Sequence, residues 1–205
     1  MFHRRILERF SLAARDDRAA QLAEFAITLP LLVCFVVGIF DFSSAFTLKQ
    51  KLTNVARDAA RDAAGDPSND LSSPNLSIPA SVLDAFQVVD NYFIANNLND
   101  CGVTATGSPT GLTWTFSSNK NGCTPPGLTI IINRGYYFPA SQTPTPSATC
   151  VSQAPGGTNT PVIVATCVSI QYAYPWRFGR VASLLGRTDT LPNQITGTGV
   201  ALNEN

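Results

Sequence analysis

Between Glu24 and Asp41 the chain carries no charged residue, and Asp41 is the only charge before Lys49. The run reads Phe25-Ala-Ile-Thr-Leu-Pro30-Leu-Leu-Val-Cys-Phe-Val-Val-Gly-Ile-Phe40. A helix rises ~1.5 Å per residue and a hydrocarbon layer is ~30 Å thick, so about 20 apolar residues cross it. A helix that is apolar on every side has no stable place in water. The chain is therefore expected to insert in a membrane. A secretory signal would carry an apolar core of about 7–15 residues followed by a small-residue cleavage site. This run is longer, and no Ala-x-Ala pattern closes it before Lys49.

Arg4, Arg5, Arg9, Arg15 and Arg18 precede the run. Basic residues beside a span favour the cytoplasmic side, which predicts an N-terminus inside and the bulk of the chain outside. Lys49 and Lys51 weaken that asymmetry slightly. The apolar and charged fractions, 44% and 14%, average over two regimes, because residues 65–205 are rich in Ser, Thr, Asn, Pro and Gly and poor in charge. The net charge is zero, so nucleic-acid binding is not expected. Cys34 lies within the apolar run and reads as a buried thiol. Cys101, Cys123, Cys150 and Cys167 all lie in the outer portion. An even set in an extracytoplasmic setting reads as two disulfides with several connectivities open. The sequential pairs Cys101–Cys123 and Cys150–Cys167 are favoured, each closing a loop of roughly 20 residues worth ~3 kcal/mol. Reduced thiols are the alternative. Metal binding is disfavoured, for there is no CxxC and no histidine beyond His3.

Residues 1–19 read as a basic leader, 20–64 as one long helix and 65–205 as an extracytoplasmic domain. In the second half of the helix Leu48, Leu52, Val55, Ala59 and Ala63 follow the spacing of one helical face. Gly65 and Pro67 end it. A helix over 20–64 would be ~68 Å long, too long for a bilayer alone, so its second half is expected to pack on the outer domain. Residues 66–79 are a linker by composition. Residues 81–97 read as a second helix, with Ser81 as cap, Asp84 in the first turn and Val82, Phe86, Val89 and Phe93 as a buried stripe. Strands are expected over 102–106 and 112–116, around a Gly-Ser-Pro-Thr turn, then over 128–138, 162–174 and from Ile195. In 162–174, Val164, Thr166, Val168, Ile170, Tyr172 and Tyr174 should face the core. Ala165, Cys167, Ser169 and Gln171 should face away, where a loop cysteine such as Cys150 could reach Cys167. Residues 139–161 read as an exposed polar loop and 177–185 as a short helix. The fold class that follows is α+β: a long N-terminal helix packed on an antiparallel sheet of about four or five strands.

Glu24 stands at the mouth of the apolar run. An unpaired carboxylate costs on the order of several kcal/mol to bury there. Two explanations are open. Cleavage after Ala19 would free the amine of Ala20, and in a bundle of such helices Glu24 could pair with a neighbour's amine, offsetting desolvation and fixing axial register. Alternatively, Glu24 marks the water-exposed end of an anchor helix. Pro30 removes a backbone donor inside the run, either as a kink where subunits pack or as an ordinary membrane proline. Asp41, ~25 Å beyond Glu24 along the helix, marks the outer interface or pairs within the membrane.

Three segments carry a family likeness. Ala-Glu-Phe-Ala-Ile-Thr-Leu-Pro-Leu-Leu, then Gly38-Ile-Phe-Asp41-Phe-Ser-Ser-Ala, then Asn54-Val-Ala-Arg-Asp-Ala-Ala-Arg together resemble the TadE-like family. These are minor pilins, or pseudopilins, of the tight-adherence (Flp, type IVb) pilus machinery. The likeness spans residues 18–64. More weakly, Tyr174-Pro-Trp-Arg-Phe is similar to a family strand ending in Tyr-Pro, and residues 195–204 to its last strand with a terminal Asn-Glu. Residues 66–160 carry no family motif. The family usually has glycine where this chain has Ala19. The resemblance implies a pilin-like fold, a processing site at Ala19 and Ala20, and an assembly role for Glu24, Phe25, Pro30 and Asp41. It implies other pilins and pseudopilins, a prepilin peptidase, the inner-membrane pilus assembly platform and the lipid bilayer as partners, with no cofactor. The implied location is a bacterial inner membrane, crossed once, with entry into a surface pilus used in adhesion or secretion.

Catalysis is not expected. His3 lies on the leader, so no outer Ser-His or Cys-His pair exists. Asp84, Asp90, Asp100, Asp189 and Glu204 are scattered and fit caps or solvated surface. Trp114, Trp176, Tyr136 and Tyr137 could line a sugar groove but fit strand core better. The expected function is structural, as a pseudopilin. The alternative is a permanently anchored extracytoplasmic module that binds a glycan or a protein.

Overall fold

A computed structural model describes residues 17–72, 77–154, 160–177 and 191–204. Helix α1 spans Asp17–Gly65 without interruption, with Pro30 inside it. A 3-10 turn follows at Ser68–Ser72, then helix α2 at Ala80–Ala95. Among the described residues five strands follow: β1 Ser108–Thr110, β2 Thr113–Ser118, β3 Leu128–Pro139, β4 Val162–Ala173 and β5 Gln194–Leu202. They form one antiparallel sheet in the order β1-β2-β3-β4-β5. An α+β fold with a long N-terminal helix and an antiparallel sheet is thus what the sequence predicts and what the chain adopts.

The chain divides into two compact units, residues 1–43 with 176–190, and residues 44–175 with 191–205. In the second unit the strand registers assemble rows across one face of the sheet. Phe116, Ile130, Ile170 and Gly197 form one row, and Trp114, Ile132, Val168 and Gly199 the next. The large members of both rows are fully buried. Helix α2 covers their bulky end through Val82, Phe86, Val89 and Phe93, all buried, with the Phe86 and Phe116 rings 4.7 Å apart. Helix α1 covers the small end. A Cβ on Gly197 would lie 2.4 Å from the backbone of Leu52, and one on Gly199 would lie 2.4 Å from the backbone of Arg57. The glycines of the Thr-Gly-Thr-Gly run are what let α1 rest directly on β5. The stripe Leu48, Leu52, Val55, Ala59 and Ala63 is buried, joined by Ala56, Ala60 and Ala64.

The opposite face is covered as well. Ile131, Tyr136, Phe138, Ala165 and Cys167 form a second buried cluster with Cys150 from the loop after β3. Cys150 and Cys167 are disulfide-bonded with their Cα atoms 5.7 Å apart, and Cys101 and Cys123 likewise at 5.5 Å. The sequential pairing is the one the chain adopts.

Several local expectations need correction. Residues 102–106 are not a strand. The first strand is the short β1, and the turn that joins it to β2 passes through Gly111, at φ +61°. Ser81 does not cap α2. Pro79 occupies the cap position without a side-chain bond, and the Ser81 amide instead donates to Asp70 Oδ2 at 2.9 Å. Asp70, from the 3-10 turn, therefore supplies the acceptor that the helix start requires. No acidic residue lies in the first turn of α2, so Asp84 falls beyond it. In β4 the core face includes Thr166, Val168 and Ile170, but Val164 is 51% exposed. Ala165, Cys167 and Ser169, on the other face, are buried too, because the loop tied down by the Cys150–Cys167 disulfide covers that face. Helix 177–185 lies almost wholly outside the described residues.

Candidate assembly helix and its seat on the sheet

The membrane-type stretch of α1 belongs to the first unit. Leu22, Phe25, Ile27, Leu31, Leu32 and Phe35 are exposed on all sides of it, as are Ile39 and Phe40 further along. The bond between Ala19 and Ala20 lies in the first turn of α1, and Ala20 is exposed. Glu24 follows little more than one turn later, also exposed. Pro30 leaves the carbonyl of Ala26 without its usual i+4 donor. The nearby Thr28 hydroxyl donates to the Phe25 carbonyl at 3.3 Å, a local bond that helps a hydroxyl sit in an apolar helix. Ala19, Ala20, Glu24, Phe25 and Pro30 thus share one continuous helix, and Ala20, Glu24, Phe25 and Pro30 are exposed on it. Asp41 differs from them: it is buried, next to Phe42, whose ring centroid lies 5.2 Å from that of Trp176. Cys34, expected to be buried, is half-exposed.

At its other end α1 needs partners for its last carbonyls, and it has no basic residue in its last turn. The Glu204 amide serves the Ala64 carbonyl at 3.3 Å, and Arg134 of β3 serves Ala63 and, just past the helix, Asp66. Its Nη1 donates to the Ala63 carbonyl and, at 3.0 Å, to Thr166 Oγ1. Its Nη2 donates to the Asp66 carbonyl at 3.0 Å. A guanidinium at the negative end of a helix dipole is favourably placed. Thr166 Oγ1 donates onward to Asn203 Oδ1 at 2.7 Å, and Asn203 Nδ2 donates back to the Arg134 carbonyl at 3.3 Å. The register of β3 against β4 slips by one residue between Asn133 and Tyr136. That bulge accommodates Arg134 and Gly135, and Asn133 Oδ1 accepts the Gly135 amide at 2.9 Å.

Burial pushes the Arg134 guanidinium below its ordinary range, while the Asp70 and Asp66 carboxylates pull it back up. Asp66 is raised, first by burial and then by the carboxylates of Asp84 and Asp62, with Arg134 opposing. Asp90 is raised by burial and by Asp100. The Arg134 constellation escaped the sequence reading, although a lone Arg-Gly inside an otherwise apolar strand was visible as its signal. Trp114 and Tyr136 are fully buried, so these aromatics are core and not a sugar platform. Among the described residues no cluster suited to a metal ion is found.

The class is therefore an α+β domain closed by two disulfides and built on the end of one helix that is long and apolar enough to cross a membrane. Residues 19–61 match the family model of the TadE-like proteins, so α1 carries a TadE-like domain, and such a domain points to a protein associated with a Tad pilus. No curated protein matches the chain, and no solved structure does.

Proposed function

We propose that this chain is a pseudopilin of a Tad (Flp, type IVb) pilus, held in the inner membrane by α1 before it joins or primes the fibre. The observation that carries the reading is the coincidence of the TadE-like match with the exposed apolar half of α1. An apolar surface of that length demands either lipid or sister helices, and a pilin occupies each in turn. In this reading a prepilin peptidase cuts between Ala19 and Ala20. The new amine pairs with Glu24 of a neighbouring subunit, and a subunit out of register leaves a buried charge unpaired. Pro30 and Phe25 lie in the same packing zone. The assembly platform and other pilins are the partners, and the N-terminus starts on the cytoplasmic side.

Glu24→Ala tests the pairing. The variant inserts in the membrane as the native chain does, yet is missing from fibres sheared off the cells. Incorporation at the native level would remove Glu24 from the mechanism.

A further inference from the structure

Beside β5 lies a groove of about 560 Å³. β5 is the last strand of the sheet, so one of its edges has no strand partner among the described residues. Thr196 and Thr198, from one face of β5, line the groove together with Gly199 from the other. One wall is α1, through Lys49, Thr53 and Arg57, each one turn from the next. The other wall is the loop after β3, through Pro144, Pro146 and Ala148. That loop segment is held in place: the Ala148 carbonyl accepts from Ser169 Oγ at 2.6 Å and from Gln171 Nε2 at 2.7 Å. A groove lined from both faces of a terminal strand, with a wall on each side, runs along that strand's open edge. The two prolines carry no N–H, so their wall offers that edge few hydrogen bonds.

Lys49 and Arg57 are both exposed, and neither forms an ion pair with a described residue. Eight helical residues separate their Cα atoms by ~12 Å. In an extended chain, side chains four residues apart lie on the same face at ~13 Å. We propose that the free edge of β5 receives an extended acidic segment of a partner protein. It adds as a further strand and sets two carboxylates, four residues apart, against Lys49 and Arg57. Main-chain bonds to β5 supply affinity, and the cations select an acidic sequence and fix its register. Threonine hydroxyls at the rim suit a polar strand.

The test uses the full chain in detergent micelles and the labelled peptide Thr-Asp-Thr-Val-Thr-Asp-Thr, followed by fluorescence anisotropy. Saturable binding is expected. It weakens about tenfold when both peptide Asp residues become Asn, and equally in the Lys49→Gln, Arg57→Gln double variant, as two exposed ion pairs acting together imply. It is lost when one alternate set of peptide amides is N-methylated and kept when the other set is. Three results would each overturn the proposal. The first is no saturation up to ~1 mM peptide, which would make the cations mere guards of an open edge. The second is equal binding of both N-methylated peptides. The third is full competition by inorganic phosphate or by phosphatidylglycerol vesicles, which would mark a simple anion or headgroup site. Neither processing nor fibre formation enters this measurement, so its outcome is independent of the pseudopilin reading.

Discussion

Arg134 illustrates how one buried residue joins three elements. Its guanidinium takes the Ala63 and Asp66 carbonyls at the end of α1 and reaches Thr166 of β4 from its place on β3. Arg134→Ala leaves those carbonyls without donors in a buried setting, and a loss of ~3 kcal/mol in urea unfolding of the full chain is expected. Arg134→Lys recovers only part of it, since an ammonium lacks the planar fork. The nearby carboxylates give a pH signature. Asp66 is raised above its ordinary range in the folded chain, so the native state binds its proton more tightly than the unfolded chain does. Stability is therefore lost as pH rises from the ordinary carboxylate range through the raised value. Asp66→Asn should gain on the native chain as pH rises above the ordinary carboxylate range. A gap between the two that stays constant or closes would contradict the assignment. None of this was read from the sequence. Arg134 sits at an alternating position of an apolar strand, where composition shows an interruption but not the helix end it serves.

At the scale of elements, sequence legibility followed periodicity. The stripe from Leu48 to Ala63 and the stripe from Val82 to Phe93 are repeated over several turns, and both are buried. The loop-to-strand pairing of Cys150 with Cys167 was readable from the parity of β4. Single-residue signals were less reliable. Ser81 looked like a cap, but the acceptor for its amide arrives from Asp70, eleven residues earlier. The 102–106 segment has strand composition, yet Cys101 and Gly102 both take positive φ, and the chain turns there. What sequence could not show is why β5 contains two glycines. Their parity places both against α1, where a Cβ would meet helix backbone. Gly199→Ala is expected to destabilise the domain by ~1–3 kcal/mol through overpacking, read as a lower thermal midpoint with disulfides intact. Thr198→Ala, on the other face of the same strand, serves as control and should cost less than ~1 kcal/mol.

For the molecule as a whole, α1 meets two different demands in one continuous helix. Its later residues are small and buried on a disulfide-closed sheet, and its earlier residues are large, apolar and exposed. The TadE-like match covers both portions. In the proposed account the earlier portion exchanges lipid for sister helices, and that exchange depends on a carboxylate meeting a newly freed amine. Intact-mass and N-terminal peptide analysis of the protein recovered from sheared surface fibres tests this most directly. The account predicts a mature chain that begins at Ala20, found in the fibre fraction. A chain that still begins at Met1, confined to the membrane pellet and absent from fibres, would contradict it.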